Sequence, residues 1–207
     1  MFLGILIVLK DMKGFKDKYM EENKILQDCD WKYSSEKMKV YHDTRWCKPV
    51  HDDKELFAML ILEGAQAGLS WSTIIDREEN YRKAFEGFDP EKIAGYDEAK
   101  VSELLMNEGI IRNKLKIRSA IKNASAFLKI EDEFGSFDNY IWGFTGGKVI
   151  DNHIKKTEDI PAESKLSRKV SMDLKKRGFT FAGPVIIYSY LEGIGIINDH
   201  IETCIFR

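Results

Sequence analysis

Proline is scarce in this 207-residue chain, with only four residues, and no stretch is rich in a few residue types. That excludes a disordered scaffold or a chain built of linkers. No self-similarity recurs at solenoid or propeller periods, so repeat architectures are excluded as well. Cysteine is limited to three residues. An odd, small number is no basis for a disulfide framework and points to a reducing compartment, hence a cytoplasmic protein. Long apolar runs are missing. The first ten residues, Met1 to Lys10, are apolar, but no basic stretch precedes them, no small-residue cleavage site follows, and ten residues cannot cross a bilayer. No membrane association is expected. Charge of one sign is also lacking: 32 basic against 34 acidic residues give a formal charge of −2, so any contact with nucleic acid must come from a local basic face. Strand patterning is nearly absent, with only Lys148-Val149-Ile150 reading as extended.

What is present suits a globular body. Hydrophobic residues make up 43% and aromatics 12%, enough for a sizeable core. Residues 1–27 read as a leader, with Met12 or Met20 as alternative starts, and residues 28–207 as a single domain that requires no obligate protein partner and works as a monomer. From Asp52 onward the chain reads as helices. Asp52 caps the first, Glu55 answers three residues later, and Leu56, Met59, Leu60, Glu63 and Ala67 follow at helical spacing until Gly68 ends it. Ser70 caps a second helix carrying Trp71, Ile74, Ile75 and Phe85, so the two form a helical hairpin. Further helices are expected over Glu98 to Asn107, Asn113 to Ile130, Phe137 to Phe144, Ser164 to Arg177 and Pro184 to Ile194. The fold class is all-α with a minor ribbon at most.

Two Cys/His pairs lie far apart in the chain: Cys29 with His42, and His200 with Cys204. Together they supply the four ligands of a closed tetrahedral zinc site, the kind that is structural and not catalytic. The second pair, four apart, can share one side of a helical turn, whereas the first must close a loop. Spacing alone leaves open the alternative of two unrelated core cysteines and two surface histidines. The third cysteine, Cys47, is left over and reads as an ordinary free thiol.

Glu63 breaks the pattern of its helix, because it falls on the apolar stripe. Burying an ionised carboxylate costs several kcal/mol unless a partner or ligand compensates. An arginine partner would explain it, and so would a pocket. Gln66, Gly64, Gly68 and Trp71 lie nearby, small residues beside a flat ring suited to stacking. Trp31, Tyr41 and Trp46 would be drawn together if Cys29 and His42 bind one metal, and whatever fixes His42 also fixes Tyr41. These aromatics are either core or the wall of a cleft. A further constellation, Asn107-Glu108-Gly109-Ile110-Ile111-Arg112 leading into Lys114, has the form of a helix-hairpin-helix turn, whose backbone N–H groups at the start of the next helix can hold a phosphate. A second basic run, Lys165 to Arg177, offers more such contacts or simply a solvated face.

The segments Cys29-Asp30-Trp31, Tyr41-His42-Asp43, Leu62-Glu63-Gly64, Ala67-Gly68-Leu69-Ser70-Trp71, Asp173-Leu174-Lys175-Lys176-Arg177-Gly178-Phe179 and Asn198-Asp199-His200 occur in this order. In series, with both metal pairs, they resemble the DNA-3-methyladenine glycosylase I family over about residues 29 to 204. The resemblance implies a helix-hairpin-helix glycosylase fold with one structural Zn2+ on Cys29, His42, His200 and Cys204, which clasps the N- and C-terminal segments together. It implies a base pocket of Glu63, Tyr41 and Trp71 with Trp31 and Trp46 nearby, Glu63 being the catalytic residue, and DNA held by the turn with Gly109, Ile110, Arg112 and Lys114. The partner is then alkylated double-stranded DNA. The activity implied is base-excision repair by a monofunctional glycosylase, which releases 3-methyladenine and leaves an abasic site. The chain departs from the family at Arg45 and Cys47, which flank Trp46 where an acidic residue and a glycine are common. Two other functions use part of the same residues. A zinc-stapled, non-enzymatic DNA-binding protein would need no carboxylate on an apolar stripe, and a zinc hydrolase would need an open position on the metal.

Overall fold

The computed structural model describes Cys29 and residues 35–207. Trp31 and the leader, residues 1–27, lie outside the described residues. In chain order the elements are α1 Glu36–Thr44, α2 Asp53–Gln66, α3 Trp71–Ile75, α4 Glu78–Ala84, α5 Pro90–Ala94, α6 Glu98–Met106, α7 Lys114–Phe134, α8 Phe137–Gly143, β1 Ile150–Asp151, a 3₁₀ turn Thr157–Asp159, α9 Lys165–Lys176, α10 Pro184–Gly193 and β2 Ile197–Asn198. The fold is mostly helical, as the sequence pattern indicates.

Helix α2 is the centre of the molecule. Asp52 caps it by accepting from the Glu55 amide, and every residue from Leu56 to Ala65 is buried. A helix apolar all round is enclosed on all sides, and α2 packs against α3, α7, α8 and α10. Its N-terminal end is tied to α8, where the Asp53 carboxylate accepts from the amides of Phe137 and Asp138 at 2.9 and 2.7 Å. These bonds satisfy two donors that a helix start leaves open. Two bonds to a charged acceptor make Asp53→Ala cost ~2 kcal/mol, which lowers the thermal midpoint by about 4–8 °C in a chain of this size. A midpoint within a degree of wild type by calorimetry would refute this.

Helix α7 runs one turn beyond the expected end, to Phe134, and stops at Gly135 in the left-handed region. The helix expected after Ser70 is two: Ser70 does cap α3, but the chain breaks at Asp76 and Arg77 before α4. Helix α1, capped by Ser35, and α5, started by Asp89 and Pro90, were not foreseen. His42 therefore sits on a helix and not in a loop. The extended piece near Ile150 is β1, which pairs in parallel with β2 through Ile150↔Ile197 and Asp151↔Asn198. This ribbon brings the His200 turn alongside the loop after α1, with Glu202 donating to the Ile154 carbonyl. The approach is tight. A Cβ on Gly195 would lie 2.2 Å from the Lys48 carbonyl carbon, so only glycine fits there. No helix among the described residues is long and apolar enough to cross a membrane.

Candidate functional site

Cys29, His42, His200 and Cys204 are all buried, and their ligand atoms lie within 4.8 Å of one another. His200 Nδ1 is 3.3 Å from both Cys29 Sγ and Cys204 Sγ, and Cys204 Sγ is 3.9 Å from His42 Nε2. A metal with bonds of about 2.0–2.3 Å to N and S spans such edges. The outer nitrogens are anchored too: His42 Nδ1 meets Asp43 Oδ1 at 2.8 Å, and His200 Nε2 meets the Trp46 carbonyl at 3.2 Å. Carboxylate and carbonyl partners of this kind orient ligand imidazoles. Burial pushes His200 down to about 4, which keeps its ring neutral, the state a metal needs. The chain thus holds a four-residue group able to bind a metal ion. His200 and Cys204 lie on a turn, with the Cys204 amide bonded to the Ile201 carbonyl, instead of on the expected helical turn.

Beside this group lies a cavity of about 350 Å³, in the range of small-molecule sites. Its lining includes Glu63 and Gln66 from α2, Tyr41 from α1, Trp46, Trp71, Ser189 and Glu192 from α10, and Thr157. Tyr41 and Trp71 meet edge to face, centroids 5.5 Å apart at 61°, forming two walls. The Trp71 indole N–H is buried without an acceptor among the described residues. Trp46 connects cavity and ligands: its ring stacks on His42 at 5.7 Å and meets His200 edge-on at 4.7 Å. Thr157 in turn donates to the Cys29 carbonyl at 2.6 Å. Of the expected pocket residues the structure brings together Glu63, Tyr41, Trp46 and Trp71.

Glu63 is 3% exposed. No arginine or lysine pairs with it among the described residues, and burial alone pushes its carboxyl up to about 8. The arginine explanation is thereby removed, and a buried carboxyl facing a cavity remains. Tyr41 is pushed well up by burial and by the nearby Glu63, so it stays a phenol. Ser189, Thr157 and Glu192 were missed by the sequence reading. A signal for Glu192 exists in Leu191-Glu192-Gly193, a carboxylate inside an apolar helix that repeats Leu62-Glu63-Gly64.

The two departures at Trp46 are accounted for. Arg45 pairs with Glu78 at 2.6 Å and lies over the Tyr41 ring at 5.5 Å. Cys47 has φ of 59°, a left-handed conformation that suits glycine. Its amide bonds the Glu192 carbonyl and its Sγ accepts from the Asp199 amide, which offset the strain. Burial holds its thiol far above the usual range, so it is inert.

The turn between α6 and α7 joins two helices. Ile110 is buried beneath it, and a Cβ on Gly109 would lie 3.0 Å from the Asn80 side chain, a tight contact that glycine avoids. Asn107 takes the amides of Gly109 and Ile110, and the Tyr81 hydroxyl that of Ile111. Asn113 takes those of Leu115 and Lys116. The amides of Arg112 and Lys114 are not among those so engaged. Both side chains are exposed, Arg112 lying 3.7 Å from Glu108. Lys116 is turned inward, donating to the Ala65 and Ala67 carbonyls at the end of α2. In the second basic run Arg168 pairs with Glu163, and Arg177 with Asp173 and Glu133.

Residues 31–207 match the family model described as methyladenine glycosylase. A DNA-3-methyladenine glycosylase of Haemophilus influenzae is 38% identical over 176 residues, covering 85% of this chain and 95% of that protein. DNA-3-methyladenine glycosylase 1 of Escherichia coli is 39% identical over 179 residues, covering 86% and 96%. Among solved structures, the 3-methyladenine DNA glycosylase I of Staphylococcus aureus, solved for the basis of its 3-methyladenine recognition, superposes with a TM-score of 0.85 at 34% identity, covering 88% of this chain and 97% of that one. With a cavity walled by aromatics around a carboxyl that has no basic partner among the described residues, and relatives matched over nearly their full length, the chain belongs to the methyladenine glycosylase family.

Proposed function

We infer that the protein is a DNA-3-methyladenine glycosylase of base-excision repair, a hydrolase that cleaves the N-glycosidic bond of 3-methyladenine in alkylated DNA. The observation that carries this reading is Glu63, a buried carboxyl with no basic partner among the described residues, in a cavity beside Tyr41, Trp46 and Trp71. A non-enzymatic DNA-binding protein has no use for such a group, which works against stability.

Methylation at N3 makes adenine cationic and a good leaving group, so selection matters more than activation. The damaged base leaves the stack at a cost of a few kcal/mol, least where pairing is already weakened. Trp71 offers a π-face to the cation, worth roughly 2 kcal/mol when desolvated. Glu63 accepts from the exocyclic amine and, once ionised by the approach of the cation, favours the positive charge developing on the sugar. Guanine presents a carbonyl at that place and leaves the carboxylate unmatched. No lysine lines the cavity among the described residues, and Lys116 is committed to two carbonyls, so water is the nucleophile. The enzyme is monofunctional and leaves an abasic site uncut.

The α6–α7 turn is a helix-hairpin-helix in which the amides and side chains of Arg112 and Lys114 hold a phosphate, with Gly109 and Ile110 shaping the turn. Residues Cys29, His42, His200 and Cys204 hold one Zn2+, which when bound supplies a structural crosslink and no reaction step. Residues 28–207 work as one domain and one monomer, in the cytoplasm, where abasic-site repair follows. Incubation with methylated duplex DNA tests the reading: chromatography of the released bases shows 3-methyladenine, and alkali but not the enzyme alone cuts the strand. A folded, metal-loaded protein that releases no base would refute it.

A further inference from the structure

Tyr41 borders two cavities. It lines the one that holds Glu63, and it lines a second, of about 290 Å³, together with Val40, Arg45, Ile75 and Glu78. A ring with space on two sides is less confined than one packed all round, so its position depends on the groups that do touch it. One is Trp71, which meets it edge to face. Another is Arg45, whose guanidinium carbon lies over the ring, 5.5 Å from its centroid, within the range of a cation–π contact. The sequence sets up this approach. Arg45 follows Tyr41 by four residues, one helical turn, so both side chains leave the chain on one side. The Arg45 amide closes that turn on the Tyr41 carbonyl at 2.9 Å.

A guanidinium on a long, 38% exposed side chain is free to swing unless something holds it. Here Nη1 donates to Glu78 Oε2 at 2.6 Å, and Glu78 is itself only 12% exposed. The other Glu78 oxygen lies 3.7 Å from Arg82, whose fork takes both oxygens of Glu55 at 2.9 Å. Glu55 belongs to the first turn of α2, the helix that carries Glu63. Four alternating charges thus link the end of α1 to α4 and to α2. Partly exposed pairs of this kind add little to stability. What the chain of charges fixes is where the guanidinium sits. We propose that Arg45 is a positioning residue for base capture: held by Glu78 over the Tyr41 ring, it keeps that wall of the cavity in place for the incoming base. The inference rests on the cavity being the base pocket. The pairing has a second effect. A lone cation at this wall would repel a cationic base, and the Glu78 carboxylate cancels it.

Single-turnover release of 3-methyladenine from methylated duplex DNA, followed against enzyme concentration and salt, separates DNA binding from base capture. Circular dichroism and the thermal midpoint monitor the fold of each variant. Arg45→Met should release the base about five- to tenfold more slowly at saturating enzyme, the range of one cation–π contact. Its half-saturating concentration and salt dependence should match wild type. Arg45→Lys, which keeps a cation over the ring, should recover to within about twofold of wild type. Glu78→Gln should also slow release, and the double variant Arg45→Met with Glu78→Gln should be no slower than Arg45→Met alone, because both act through one ring. A folded Arg45→Met with the wild-type rate, whatever its midpoint, overturns the proposal, and so does an Arg45→Lys as slow as Arg45→Met. Losses that add in the double variant overturn it as well. A raised half-saturating concentration with a shallower salt dependence would instead make Arg45 a phosphate contact, which overturns it too. Failure of the wild type to release any base would overturn the reading of the cavity, and this inference with it.

Discussion

Glu63→Gln is expected to release 3-methyladenine ten- to a hundredfold more slowly than wild type while melting at a higher temperature above pH 8. The rate loss follows from replacing a charged acceptor by a neutral one, since a hydrogen bond to a charged group contributes about 1.5–3 kcal/mol. The stability gain follows from the same burial. Glu63 titrates at about 8 in the folded chain against 4.5 as its ordinary value. A raised carboxyl holds its proton in the folded state at pH values where the unfolded chain has lost it, so stability is highest below 4.5 and falls as pH rises through 8. The loss is on the order of 3–5 kcal/mol, since each unit corresponds to about 1.4 kcal/mol. Gln has nothing to ionise, and that part of the pH dependence disappears. Activity runs the other way. The free enzyme must ionise Glu63 to accept a cation, so kcat/KM for base release rises with pH up to about 8 and then levels off, and the rise is absent in the variant. Parallel pH profiles of rate and melting for the two proteins check both. Equal rates, or a wild-type kcat/KM that is flat from pH 6 to 9, would remove Glu63 from the chemistry.

Removing the metal is expected to unfold the protein, not merely to inactivate it. The four ligands come from positions up to 171 residues apart in direct contact, Cys29 with His200, and they lie in the core and not at its rim. Structural zinc contributes about 10–16 kcal/mol in small domains, as much as the whole stability margin of a typical fold, about 5–15 kcal/mol. Purified protein should carry one zinc per chain by elemental analysis. Chelation under mild denaturant, or Cys204→Ser, should abolish cooperative melting at 37 °C. A Cys204→Ser variant with an unchanged midpoint and no bound metal would reduce the group to four packed side chains. A catalytic metal would give a different pattern, a folded protein without activity that metal restores.

Helices α2, α6, α7, α8 and α9 were legible because each begins at a side-chain cap before an apolar pattern, and α10 because Pro184 opens an apolar run. Helices α1 and α5 were not. Glu36 to Thr44 has almost no amphipathic pattern, and it is held by Ser35 at one end and by packing against α3. Pro90 to Ala94 is a single turn started by Asp89 and Pro90, too short for periodicity. The candidate site was legible at Glu63 because one charge interrupted an apolar stripe. Burial of α2 on every side made that signal stronger than the stripe alone suggested. Glu192 carried the same signal and was passed over, because the aromatic and branched residues around it read simply as core. Ser189 and Thr157 could not be found this way. A small polar residue at a cavity edge looks like any other until helix and loop are packed together.

The place of Trp46, between the ligand histidines and the cavity, has a consequence for the order in which the site comes into being. Tyr41, Trp46 and Glu63 are synthesised early, and His200 and Cys204 long after them. Until residues 200–204 arrive beside β1, His42 has no opposite ligand and the Trp46 carbonyl has no imidazole to hold. A nascent chain therefore carries the basic turn and most of the helices before it has a finished cavity. On this order the cavity that holds Glu63 is the last part of the fold to be completed.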